Sequence, residues 1–110
     1  MWLFTTDGFY SVVQDKDDPD RVVVRARTAE DMARFAMAVG YPGEWKHTPK
    51  ADYAYRLIVA RDLFIQWTAE QAAKIDYPNF KDAVQQRQGV GRAFVYSGVW
   101  DTVRRGLQRV

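Results

Sequence analysis

The sequence predicts an α+β fold: a mainly antiparallel sheet of four or five strands with helices packed on one face. Three observations lead there. Runs rich in β-branched and aromatic residues crowd the first third of the chain, helical spacing behind capping residues fills the second half, and the order is sheet first, helices later.

Trp2–Thr5 and Phe9–Gln14 read as strands around Asp7-Gly8, since Asp-Gly between β-prone runs signals a hairpin. Asp15-Lys16-Asp17-Asp18-Pro19-Asp20 is a turn whose proline and repeated aspartates stop strand continuation. Arg21–Arg27 is the clearest strand, with Val24 and Ala26 alternating against Arg25 and Arg27. Thr28 then caps a helix that carries Glu30 and Asp31 in its first turn, where the helix dipole favours acids. Met32, Phe35, Ala36 and Val39 recur at helical spacing, and Gly40 ends the run.

Pro42, Gly43 and Pro49 make Gly40–Ala51 a loop, with room for a short strand at Glu44–His47. Asp52–Ala60 reads as the next strand. Asp62 caps a helix over Leu63–Ile75, which stops before Asp76-Tyr77-Pro78. Asn79 caps Phe80–Gln88. Gly89-Val90-Gly91 is a turn whose glycines take positive φ, and the last helix carries Val95, Val99, Thr102 and Val103 on one stripe. The order is βββα(β)βααα, and its middle portion has the order of a split βαβ unit. One domain accounts for residues 1–110, with no repeat, linker or low-complexity tract.

Composition narrows the function. Apolar residues at 47% are enough for one real core, and the absence of cysteine excludes a disulfide framework. No apolar run approaches the roughly 20 residues of a membrane span, and Met1–Asp7 lacks the basic start and apolar centre of a secretion signal. A cytoplasmic protein is expected, with no membrane partner. The net charge is only +2, but residues 21–61 hold eight basic and four acidic side chains, so the middle of the chain is its basic part. Eleven of the sixteen basic residues are arginine, which favours planar, bidentate recognition of carboxylate or phosphate.

Motifs for chemistry are sparse. With no cysteine and His47 as the sole histidine, no metal set is expected, and the Asp15–Asp20 cluster fails the calcium-loop spacing because Pro19 occupies a ligand position. Gly89-Val90-Gly91 lacks the third glycine of a dinucleotide loop, and no Walker lysine exists. Val90–Ser97 matches an RNA-recognition motif only at Gly91, Ala93, Phe94 and Val95, on a segment that reads as helix. Ser11 and Ser97 stand in no nucleophile elbow, and His47 sits in a loop near Glu44 and Asp52 as an isolated base. No catalytic constellation and no cofactor are therefore expected.

The one constellation with a physical rationale is basic and aromatic. Arg25 and Arg27 share one strand face, Tyr53 and Tyr55 share one face of another, and Arg56 leaves from the opposite side. If these strands are neighbours, the guanidinium groups gather at an open sheet face or edge as an anion site. Tyr77, Asn79 and Lys81 add polar groups at a helix start. The competing reading pairs the arginines with acids such as Asp52 or Glu30 and uses the tyrosines to cover core edges.

Short marks recur along the chain: Met1-Trp2-Leu3-Phe4, Gly8–Val13, Val24-Arg25-Ala26-Arg27, Asp52-Tyr53-Ala54-Tyr55-Arg56, Asp76–Lys81, and Tyr96 with Val99-Trp100. In these marks the chain resembles a family of short, uncharacterised bacterial and bacteriophage proteins. The resemblance implies a compact single domain and supplies no activity, cofactor or catalytic residue. The functional expectation is a small non-enzymatic binding or accessory protein, phage- or mobile-element-encoded, that engages a host or phage macromolecule through Arg25, Arg27, Tyr53, Tyr55 and Arg56. Two alternatives stay open: a sequence-independent nucleic-acid binder, and a small enzyme or sensor for a phosphorylated metabolite. Homo-oligomerisation is open too.

Overall fold

A computed structural model describes residues 1–41 and 43–109, so Pro42, one of the residues that mark the 40–51 loop, lies outside the described residues. The fold is α+β, as predicted, and it divides into two units, Met1–Ile75 and Asp76–Val110.

The first unit holds an antiparallel five-stranded sheet in the order β1-β2-β3-β5-β4, built from β1 (Trp2–Phe4), β2 (Phe9–Gln14), β3 (Arg21–Ala26), β5 (Tyr55–Ala60) and β4 (Lys46–His47). Because β3 and β4 each run antiparallel to β5, they are parallel to one another with β5 between them. α1 (Ala29–Ala38) joins that pair, which makes the expected split βαβ unit. α2 (Arg61–Ala73) follows β5 directly.

Strand alternation sends Tyr10, Val12, Val22, Val24, Ala26, Leu57 and Val59 to one sheet face, where Met32, Phe35 and Ala36 of α1 and Phe64 and Trp67 of α2 cover them. Trp67 centres this core. Its ring meets Tyr10 edge-on at 5.4 Å and Phe35 at 5.0 Å, and lies over Phe64 at 6.0 Å. The short β-branched side chains of the sheet leave the space these rings fill.

Local chemistry sets the helix ends. Thr28 Oγ1 accepts the Asp31 N–H, and α1 closes with Gly40 N–H donating to Met37 O and Tyr41 N–H to Ala36 O, the paired bonds of a glycine stop. The expected Asp62 cap of the next helix is not used. β5 turns into α2 with no intervening loop, and the first helical N–H, that of Arg61, donates instead to Asp20 O in the β2–β3 turn at 2.7 Å. The Arg61 side chain grips the same turn through Pro19 O and Gln14 Oε1. The last predicted strand is likewise shorter at its start. Thr48 N–H donates to Ala54 O, so residues 48–54 close the β4–β5 hairpin and pairing begins at Tyr55.

Gly8 differs in its reason. The β1–β2 turn is held by Thr5, whose N–H and hydroxyl both donate to Gly8 O, while its hydroxyl oxygen accepts from Asp7 and Gly8 N–H. Gly8 has no positive φ. It is glycine because the turn lies against α1: a Cβ there would stand 2.7 Å from the Asp31 carboxyl carbon and 2.8 Å from the Tyr10 hydroxyl. Asp31, 2% exposed, accepts the Phe9 N–H and an Arg34 N–H on its carboxylate, and its backbone oxygen accepts from the Tyr10 hydroxyl at 2.7 Å. Buried Asp7 extends this knot to α2, accepting from Gln71 and Lys74.

In the second unit, Asn79 caps α3 (Phe80–Gln88) by accepting the Asp82 N–H, and Gly89 at φ +95° joins it to α4 (Val90–Leu107). Gly91 is inside α4 and needs no such conformation, contrary to the expectation for both glycines. The predicted stripe on α4 is displaced too. Ala93 and Tyr96 are its buried residues, with Tyr96 stacked on Phe80 at 5.8 Å, whereas Val95 and Val103 are half exposed or more. The aromatic stack orients the helix, and the valine spacing does not.

Gly8→Ala is expected to lower the unfolding free energy by about 1–3 kcal/mol, because Asp31 or the turn must move to admit the methyl. Urea denaturation checks it, with Gly91→Ala, which meets open space, as the neutral or stabilising control.

Candidate functional site

The sheet face turned away from α1 and α2 is organised in rows set by strand register. One row is apolar: Val13 pairs with Val23 and Val23 with Ile58. The next crosses all five strands as Trp2, Ser11, Arg25, Arg56 and Lys46, each the direct partner of its neighbour. Beyond it Phe4 pairs with Phe9, their rings stacked at 4.4 Å.

Three cations thus stand side by side on three hydrogen-bonded strands, spaced by about 4.8 Å at the backbone. Like charges directly opposite one another oppose pairing. Among the described residues, no carboxylate lies within ion-pair distance of Arg25, Arg56 or Lys46.

Arg25 is held in place by neutral groups. Its guanidinium donates to Ser11 Oγ at 2.6 Å and more weakly to Ser11 O, and lies over the Tyr53 ring at 4.7 Å from the centroid. Ser11 is almost wholly buried beneath it. Arg27 covers the same ring at 4.3 Å, so Tyr53, 8% exposed, is flanked by two guanidinium groups and approached by Phe9 at 6.4 Å. Each such cation–π contact contributes about 0.5–2 kcal/mol. Arg27 differs from Arg25 in being paired: it donates to Asp52 on both the carboxylate and the backbone oxygen. That hydrogen bond raises the Arg27 pKa above the ordinary arginine value, against a smaller opposing effect of burial.

Of the five residues singled out in the sequence, Arg25, Arg27, Tyr53 and Arg56 come together here, with Arg56 Nε at a long 3.5 Å from Tyr53 O. Tyr55 does not. It pairs with Ala26 and His47, packs against the core and stacks on His47 at 4.5 Å. The expectation that both tyrosines share a face fails because Tyr53 precedes the strand, so strand alternation does not relate them.

Lys46, Ser11 and Trp2 stood outside the five residues singled out in the sequence. The alternation of Trp2 with Leu3 and of Ser11 with Tyr10 and Val12 carries the signal for two of them. Lys46 joins the row only through the β4–β5 register.

The other candidates are engaged elsewhere. His47 stacks on Tyr55 and makes no hydrogen bond to Glu44 or Asp52 among the described residues. Asn79 caps α3, and Lys81 Nζ lies 4.7 Å from the Trp100 ring. The acidic turn is anchored at its first residue, where Asp15 is buried and pairs with Arg21 at 2.9 Å. No cluster of three or more His, Asp or Glu among the described residues could hold a metal ion. No helix of the described residues is long and apolar enough to cross a membrane.

No family model matches this chain, and neither does any curated protein or solved structure.

Tyr53→Leu keeps apolar volume but removes the ring between the guanidinium groups. Thermal or urea unfolding is expected to show a loss of about 1–2 kcal/mol, with Tyr53→Phe retaining most of that stability.

Proposed function

We propose that the protein is a non-enzymatic binding module, an accessory factor acting on a host or phage macromolecule, and that it takes an anionic part of that partner on the open face of its sheet. The observation that carries this reading is the cross-strand row Arg25–Arg56–Lys46, which stands without a carboxylate among the described residues. Placing like charges on paired strands opposes sheet closure, and an anion bridging them reverses the sign of that interaction.

The chemistry of the row supports binding over catalysis. Guanidinium and ammonium groups attract and orient an anion through positive charge and directed N–H donors. Arg25 is also restrained by Ser11 and Tyr53 before any partner arrives, which lowers the ordering cost of binding. The surroundings suit a macromolecule: Trp2 is 69% exposed, and Val13 and Ile58 expose apolar surface beside the charges. An interface of this composition pairs anchoring aromatics with arginine.

Salt elution from a heparin column tests the reading. The wild-type chain is expected to elute at higher salt than an Arg25→Gln/Arg56→Gln/Lys46→Gln variant whose circular dichroism is unchanged. An Arg104→Gln/Arg105→Gln/Arg109→Gln variant removes equal charge from α4 and the residues after it, and is expected to elute close to wild type. Equal elution of the folded row variant and wild type overturns the proposal, as does a larger shift in the α4 variant.

A further inference from the structure

Resting on that reading, we infer that the anion is the phosphodiester backbone of a single-stranded nucleic acid, laid across the strands with an unpaired base stacked on Trp2. The row supplies both components such a strand needs, in one line. From Arg25 to Lys46 it offers three cations over about 10 Å, and Trp2 lies two strand spacings, again about 10 Å, from Arg25 on the opposite side. Trp2 is held by a T-shaped contact with Phe9 at 6.3 Å and keeps 69% of its surface exposed, so it is a fixed and accessible ring. Bases stack on such rings whatever their identity, while a basic track follows the phosphates.

Two features separate this occupant from other polyanions. An acidic peptide can meet an arginine cluster through its carboxylates, yet it brings no base to Trp2, and the edge strands β1 and β4, three and two residues long, template little added pairing for it. A duplex satisfies the cations but has no unpaired base for Trp2, because its bases are stacked on one another. The aromatic end of the row thus selects the single strand, and the cationic end is indifferent to sequence.

Fluorescence anisotropy of a labelled ten-residue oligothymidylate tests this. Binding is expected to weaken with salt at a slope of log K against log salt near −2, from three phosphates at about −0.7 each. The Arg25→Gln/Arg56→Gln/Lys46→Gln variant is expected to lose that binding and its slope. Trp2→Ala is expected to bind between about fivefold and a hundredfold more weakly with the slope unchanged, and Trp2→Phe to recover part of the loss. Unlabelled duplex DNA and polyglutamate are expected to compete at least about tenfold worse than unlabelled oligothymidylate.

If oligothymidylate does not bind, if duplex or polyglutamate competes equally well, or if folded Trp2→Ala binds as wild type, the inference is overturned. The broader anionic reading then stands or falls on the heparin comparison alone. Row-dependent heparin retention without preference for the single strand refutes this inference and leaves that reading intact, whereas row-independent retention refutes both.

Discussion

The first unit is organised around one enclosed carboxylate. Asp31 sits in the first turn of α1, where the helix dipole favours its charge, and it reaches across to the backbone of β2 at Phe9. The same residue's backbone oxygen receives the Tyr10 hydroxyl, and Arg34 links its carboxylate to the Asp7 carbonyl. A buried charge is tolerable only when satisfied in this way. The geometry that satisfies it admits no side chain at Gly8, so the β1–β2 hairpin has one seating against α1.

That seating governs which residues face outward. With Tyr10 fixed inward against Trp67 and Phe35, its neighbours Phe9 and Ser11 face outward. A slip of one residue would exchange the two faces, placing the Arg25 partner in the core. The position of the cation row, at the far face of the sheet from Asp31, is therefore inherited from the packing of the hairpin on the helix. The opposite end of β3 shows the contrasting arrangement, where Arg21 has Asp15 and Asp18 as partners and its charge is neutralised locally.

Much of this was legible in the residues. Thr28, Asn79 and Gly40 announced helix ends because capping is a contact between near neighbours, and Arg21–Ala26 announced a strand by its alternation. The failures share the opposite character. Arg61 takes its N-terminal partner from Asp20, far back in the chain, so the local promise of Asp62 went unused. Tyr53 fell outside β5 because Thr48 and Ala54 close the hairpin first, and Lys46 reached Arg56 through a register that no single segment encodes. Arg25 and Arg27 were visible as a pair on one face, but their different fates, one on Ser11 and the other on Asp52, depend on which strand and loop lie alongside.

The inserted position of β5 has a thermodynamic consequence. Arg25 belongs to the β1–β2–β3 meander, while Arg56 and Lys46 arrive together on the β4–β5 hairpin, so neither half of the sheet possesses the row by itself. Closing β5 onto β3 assembles the charges and meets their repulsion in the same event. On the proposed reading, an anion seated across them is bound by the closed form alone, and by linkage it shifts the opening equilibrium of the sheet in proportion to the logarithm of its occupancy term. On that proposed reading, the sheet seam and the row are one cooperative element, in which mechanical integrity at β3–β5 and affinity for anions rise and fall together.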